Sequence, residues 1–505
     1  MTIAAIKRNA PAEIDETAAR APVSILGVPF DHLTRKQALE RIAQMIASRK
    51  PHYLATANVD FVVQAQNDLE LRRILFDADL VLCDGTPLVW ASRWLGNPLP
   101  ERVAGADLVP ELIQAAAGNG HRIFLLGASP EAADRAVTNL RNKFPNLHVT
   151  SHSPQFKPLL EMNHDEIIRR IRDAKPDLLF VSFGCPKQEK WIAMHCQTLG
   201  VPVTIGVGAT IDFIAGHMRR APRWMQRSGT EWIFRLAQEP RRLFKRYAMD
   251  LGIFGFKLLR QLWLFRQNQK ISGHNSTPST LRTNGWQHIE LPKHFTRRAV
   301  ERNRHLMQQV LGETCHCILE MHRVRLLDST SIACLMRLQR ELQTQKRQLI
   351  LLAPHKAVLA ALKFMRLTDF FLIAENITDA HRLNQSRIRE ESQPVVPTTP
   401  LLWQGGITAA NAEHIWQTTR QRLVSRNNLT IDLSRVRHID SSGIALMERL
   451  RNTAIQLERE IAFICPSNAV HNVLRHAKRE KLLVPITQHP APSAIHEGAP
   501  ISQPA

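Results

Sequence analysis

Between residues 22 and 215, short apolar runs alternate with longer amphipathic ones. SILGV (24–28) precedes a helix-like stretch over 34–48, HYLATAN (52–58) one over 59–77, and LVLCD (80–84) one over 86–95. RIFLLG (122–127) follows a helix-like 106–117 and precedes 130–143. HVTS (148–151), DLLFVSFG (177–184) and PVTIGVG (202–208) continue the series, with helix-like 165–174 and 186–199 between them. Strands of this length separated by helices of ten or more residues predict a mainly parallel sheet covered on both faces, an α/β, doubly wound fold. In such a sheet the C-terminal strand edges share one side, and chemistry collects there.

Polar clusters fall at those edges: Thr56-Ala57-Asn58, Asp84-Gly85, Arg102 with Asp107, and Pro186-Lys187-Gln188-Glu189. Asp84 ends an apolar strand beside a glycine turn and near an arginine, which makes it the candidate reaction centre. Asp77-Ala78-Asp79 resembles a metal-binding Asp-x-Asp, but it precedes its strand and so lies at the opposite edge; no metal is expected. No phosphate-binding GxxxxGK(S/T), GxGxxG after a strand, GxSxG or HExxH occurs.

Residues 216–266 differ in character. Twelve Lys/Arg face only Glu231, Glu239 and Asp250, and nine aromatics are interleaved, ending in LGIFGFKLLRQLWLFR (251–266). This pattern suits an interfacial helix on an anionic membrane surface; a helix packed on the sheet domain with a solvated basic face is the alternative. The whole chain carries +21 at a pI near 10.3, which favours anionic partners, yet no nucleic-acid motif accompanies the charge, so nucleic acid is not an expected partner. Seven cysteines without a CxxC pair suggest reduced thiols; Cys315-His316-Cys317 sits in a strand-like run. The first 21 residues lack the ~7–15 apolar residues of a signal peptide, and no run reaches the ~18 of a spanning helix.

After a polar connection at 267–285, the chain repeats itself. CILEMHRVRLLDSTSIACLM (317–336) aligns without a gap on the stretch containing TIDLSRVRHIDSSGIALM, superposing Arg323 on Arg435, Asp328 on Asp440 and Ser329 on Ser441 at an offset of 112. So long a period means tandem globular domains, 286–384 and 401–488, joined through 385–400; solenoid repeats run only ~20–50 residues. Residues 1–21 and 489–505 read as a disordered leader and tail.

The blocks ATANVDFVVQAQNDLELRRILFDADLVLCDGTPLVWASRWLG, ERVAGADL, VSFGCPKQEKW, GVGATIDFIAG, RAPRW and EWIFRLAQEPRRLFKRY, in this order, resemble the WecG/TagA/CpsF glycosyltransferases, family 26. The resemblance covers about residues 24–250. It implies an inverting, metal-independent, cofactor-free transfer from a UDP-sugar to a polyprenyl-diphosphate-linked sugar, on the cytoplasmic face of a bacterial membrane, in cell-surface polysaccharide synthesis. Asp84 matches the catalytic base; its alternative use is capping the next helix. Thr56 and Asn58 match substrate contacts, with an Asx-type turn as the plainer use of Asn58. Arg102 matches a diphosphate contact, against a salt bridge to Glu101 or Asp107. Gln188 matches an active-site glutamine, whereas Lys187 and Glu189 read as exposed first-turn residues. Arg235, Arg242 and Lys245 fall on the family's basic appendage, Lys245 standing where the family has arginine.

The repeats resemble STAS domains, with Ser331 in place of the usual glycine in the first. That resemblance implies a protein partner, and modification of Ser441 and Ser329 by a kinase; Asp-Ser is equally an ordinary helix N-cap pair. A signalling scaffold with an inactive transferase domain is the competing reading, and self-association is left open.

Overall fold

The computed structural model describes residues 20–483 apart from 219, 229, 239, 270–278, 284, 381, 383–399 and 426–427. The leader up to residue 19, the tail from 484 and most of the 385–400 connection therefore lie outside the described residues. The chain forms two compact units, divided between Gln393 and Pro394.

The first unit opens with an antiparallel hairpin, β1 (Arg20–Ile25) and β2 (Val28–His32). The run 24–28, expected to be one strand of the main sheet, is thus divided between two strands outside it. Leu26 and Gly27 both take positive φ, 50° and 84°, and reverse the chain there. There follow α1 (Arg35–Ser48), β3 (His52–Ala57), α2 (Val59–Gln64), α3 (Leu69–Asp77), β4 (Leu80–Cys83), α4 (Thr86–Trp94), α5 (Gly105–Asn119), β5 (Ile123–Gly127) and α6 (Pro130–Lys143). Then come β6 (Val149–His152), α7 (His164–Ala174), β7 (Leu178–Ser182), α8 (Lys187–Leu199), β8 (Val203–Gly206) and α9 (Thr210–Ala215). The helix expected over 59–77 is two helices, because Asp68 starts a new one by accepting from Leu71 N at 2.9 Å.

Strands β3–β8 form one parallel sheet in the order β4-β3-β8-β7-β5-β6. Their unbroken apolar runs are explained by burial on both faces: Val81, Cys83, Leu179 and Val181 enter one core, Leu80, Leu82, Leu178 and Phe180 the other. The order reverses direction around β3 and β8, so residues beyond these strand ends share a crevice.

The basic segment is helical: α10 (Arg223–Ser228), α11 (Glu231–Gln238) and α12 (Pro240–Gln269). At ~1.5 Å per residue, α12 is a rod of about 45 Å. Among the described residues no helix is long and apolar enough to cross a membrane.

The first repeat contains β9 (Ser279–Thr283), β10 (Trp286–Glu290), β11 (His294–Phe295), α13 (Arg297–Arg302), α14 (Arg304–Gly312), β12 (His316–Glu320), β13 (Leu326–Leu327), α15 (Ser329–Thr344), β14 (Leu349–Leu352), α16 (Lys356–Phe364) and β15 (Leu372–Ala374). Its sheet order is β15-β14-β12-β10-β9. The 267–285 connection is thereby shortened from both ends: α12 continues to Gln269, and β9 pairs antiparallel with β10. Exposed Thr280 and Arg282 are compatible with an edge strand, which needs one neighbour only.

In the second unit, β16 (Leu401–Ile407), β17 (Asn428–Ile439) and β18 (Glu460–Ile464) form a parallel sheet. The repeat reappears in its helices. Ser441–Gln456 and Asn468–His476 have the lengths of α15 and α16 and lie 112 residues further on.

Candidate active site

β4 ends at Cys83 and delivers Asp84 to the C-terminal sheet edge. Asp84 N donates to Ala57 O at 2.9 Å, extending the ladder by one residue, and Val103 N donates to Cys83 O at 2.8 Å, pinning the Arg102 loop against the strand end. The N-cap of α4 is Gly85, with no side-chain cap. Asp84 is therefore not spent on that helix; its Oδ2 accepts from Gly105 N, at the start of α5, at 3.3 Å.

Around it runs a closed circuit of ions. Arg102 reaches Glu231 (Nη1–Oε2, 3.0 Å) and Asp107 (Nη2–Oδ2, 3.0 Å); Arg220 reaches the same two carboxylates (Asp107 Oδ1, 2.7 Å; Glu231 Oε1, 3.8 Å). Arg235 adds a third guanidinium on Glu231 at 3.3 Å and lies over the Phe213 ring. Glu231 is 5% exposed, so this carboxylate of α11 is drawn into the crevice by three cations. Burial pushes the Asp84 carboxyl up from its usual range, while Arg102 first and Arg235 next pull it back. A carboxylate so placed is shielded from bulk water and faces cations that favour its charged form.

Thr56, at the end of β3, is buried and its Oγ1 donates to Gly206 O at 3.4 Å. Asn58 caps α2, its Oδ1 accepting from Phe61 N at 3.2 Å. Gln188 is buried too: its Oε1 accepts from Gly184 N and Gly208 N, both at 3.2 Å, and its Nε2 donates to Glu189 Oε1 at 2.7 Å. This side chain ties together the loops after β7 and β8. Glu189, read from sequence as exposed, is 1% exposed, because the first turn of α8 faces β8 where Gly206 has no side chain. A Cβ on Gly206 would lie 2.6 Å from Gln188 Nε2 and 2.8 Å from Glu189 Oε1. Burial raises the Glu189 carboxyl to about 7. Lys187 stays partly exposed, its ammonium over the Phe156 and Phe183 rings.

Lys245 is exposed, and the Arg242 side chain lies outside the described residues. At the other sheet edge, Asp79 Oδ2 accepts from Tyr53 N at 3.0 Å. In the repeats, Asp328 and Asp440 both cap their helices. Ser329 is fully buried and Ser441 partly exposed.

The sequence patterns thus single out Asp84, Arg102 and Arg235, which meet, but not Arg220 and Glu231, which complete the circuit. The usable signal was Glu231 itself: one of three acids among twelve bases needs a specific reason to be there.

Residues 23–269 match the model of the glycosyl transferase WecG/TagA/CpsF family. The chain is 31% identical over 249 residues to an N-acetylglucosaminyldiphosphoundecaprenol N-acetyl-beta-D-mannosaminyltransferase of Staphylococcus aureus strain MW2. That match spans 49% of this chain and 96% of the relative, and the enzyme of the same name from strain NCTC 8325 matches to the same extent. The chain belongs to the WecG/TagA/CpsF family. Residues 294–380 and 395–491 match the STAS domain, so this transferase carries two modules beyond the part it shares with the staphylococcal relatives.

Proposed function

We propose that the protein transfers an N-acetylmannosamine-type sugar or a hexose from a UDP-sugar to a sugar on a polyprenyl diphosphate, with inversion and without a metal, at the inner face of a bacterial membrane. The observation that carries this reading is the convergence of Arg102, Arg220 and Arg235 beside a partly buried Asp84. The staphylococcal relatives' name specifies a β-linked product, which from an α-linked nucleotide sugar requires inversion and hence a single displacement. Asp84 takes the proton of the acceptor hydroxyl as its oxygen bonds to the anomeric carbon. The bond from that carbon to the diphosphate breaks, and the electron pair leaves with UDP.

The growing charge on the leaving diphosphate needs preorganised cations. Arg102 and Arg235 are held in place by Glu231, and Lys245 and Arg242 follow on α12. Lys245 supplies charge without a guanidinium's two-pronged geometry. Thr56 and Asn58 would face the sugars, and Gln188 acts by fixing the two loops. Exposed Trp224, Trp232, Phe244, Phe256 and Trp263 lie among basic residues of α10–α12, which supports a membrane-surface seat. An open, apolar groove of about 590 Å³ lined by Ile233, Leu236, Pro240 and Phe244, with Arg241 and Lys245 beside them, suits an acceptor with a lipid tail and an anionic head.

The test is UDP release from a panel of UDP-sugars with a short-chain polyprenyl-diphosphate sugar, with and without EDTA. Wild type should turn over at least one donor in EDTA, and Asp84→Asn should fall ~10²–10⁴-fold, the usual worth of a positioned base. Equal rates would remove Asp84 from this role. No release from any donor would favour the scaffold reading.

A further inference from the structure

The resemblance to STAS domains implies a protein partner and a modifiable serine, and in the first repeat the helix that begins at that serine, α15, is already covered. Ser329, Thr330 and Ser331 are no more than 1% exposed, and α15 packs along β1 of the transferase hairpin. One amide of α12 makes the joint. Gln261 Nε2 donates to Ser24 O at 3.1 Å and to Ser329 Oγ at 3.2 Å, while its Oε1 accepts from Leu26 N at 3.0 Å.

Further contacts surround it. Arg72 of α3 is 1% exposed and donates from Nη1 to Met365 O, just past the end of α16, at 2.6 Å. A cation there meets the negative end of the helix. Arg340 donates to Ala78 O, and Phe370 stacks on Phe76 with ring centroids 5.1 Å apart. At the hairpin turn, a Cβ on Gly27 would lie 2.7 Å from Met365 O, so the approach is possible only for glycine. Domains of one chain usually meet through polar, separable surfaces. Here a single apolar core runs from Val23, Ile25 and Phe30 to Ile332, Leu335 and Met365, and without the repeat the buried Arg72 guanidinium would lose an acceptor.

We propose that the first STAS-type domain is a captive subunit of the transferase: its docking face is filled in cis by β1, β2 and α12, and a dianion at Ser329 is incompatible with the docked form. A phosphoryl group placed on the buried Oγ would have to displace Gln261 and enter the shared core without water, at prohibitive desolvation cost. The partner of this domain is therefore its own chain. Because α12 follows directly on α11 and packs against it, docking holds the helix next to the one that brings Glu231 and Arg235 to the Asp84 crevice.

The test uses the full chain with a specific protease site placed within 270–278, cut and run on gel filtration. The two pieces should co-elute at the position of the uncut protein. Ser329→Glu should release at least ten times more free C-terminal piece than wild type, whereas Ser329→Ala should co-elute. The pair Arg340→Ala with Phe370→Ala, whose side chains reach across the joint, should also release it while keeping the circular dichroism of the fold. Separation of the wild-type pieces would overturn the proposal, as would co-elution of both the Glu variant and the paired variant. None of these readouts depends on transferase activity.

Discussion

If Asp84 is the base, removing Arg102 should move the pH dependence in a direction that loss of binding alone does not produce. Burial raises the Asp84 carboxyl, and Arg102 is the largest influence opposing it, ahead of Arg235. An opposite charge at close range lowers a carboxylate pKa, and in Arg102→Ala only Arg235 is left to do so. The acid limb of kcat/KM should therefore shift to higher pH, on a plateau lower by ~10²–10³-fold, the usual cost of removing one preorganised donor. Arg102→Lys keeps the charge, so its limb should stay near wild type while donor KM rises. Glu231→Gln removes a like charge that raises Asp84, a smaller influence than either arginine, and its limb should move the other way. The assay is continuous UDP release between pH 5 and 9. An unmoved limb in Arg102→Ala, or shifts of the same sign in Arg102→Ala and Glu231→Gln, would refute the electrostatic account of the site.

Other perturbations follow from the same geometry. Glu189 ionises at about 7 in the folded protein against 4.5 ordinarily, so its stabilising contribution is complete below pH 4.5 and lost as pH rises through 7. On the order of 3 kcal/mol is at stake, and Glu189→Gln should raise Tm at pH 8 while leaving it nearly unchanged at pH 4.5. Gly206→Ala forces Gln188 and Glu189 aside; a cost of ~1–3 kcal/mol with a larger loss of kcat than of KM is expected from denaturation curves and steady-state kinetics. Phe256→Ser combined with Trp263→Ser, both exposed on α12, should cut binding to vesicles containing anionic lipid at least tenfold in a sedimentation assay, with UDP release from a soluble acceptor retained.

The parallel sheet was legible because each strand is an unbroken apolar run, and burial on both faces demands nothing else of the sequence. Asp84 was legible for the same reason, being the first charged residue after such a run. The hairpin was not, since SILGV reads as a strand and only the backbone at Leu26 and Gly27 reveals the reversal. Glu189 misled because a charged residue in a first helical turn is normally solvated, and its burial depends on an absent side chain on a distant strand. Ser331, standing where a glycine is usual, raised doubt about the first repeat; in the fold its hydroxyl and Asp328 complete a reciprocal cap, with Ser331 N donating to Asp328 Oδ1 at 2.8 Å and Asp328 N to Ser331 Oγ at 2.9 Å. No periodicity could have placed α15 against β1, because the apolar stripe of a helix does not name its partner.

The connection between α12 and β9 is nine residues long, and its length has a thermodynamic meaning. Ends joined by so few residues meet at an effective concentration of about 1 mM. Halves that stay together after a cut at micromolar concentration, with a dissociation constant of about 1 μM, are then apart in roughly one intact molecule in a thousand. A hundredfold weakening, some 2.7 kcal/mol, parts the cut halves yet leaves roughly nine intact molecules in ten shut. The unbroken chain therefore tolerates damage to the joint that the cut protein cannot.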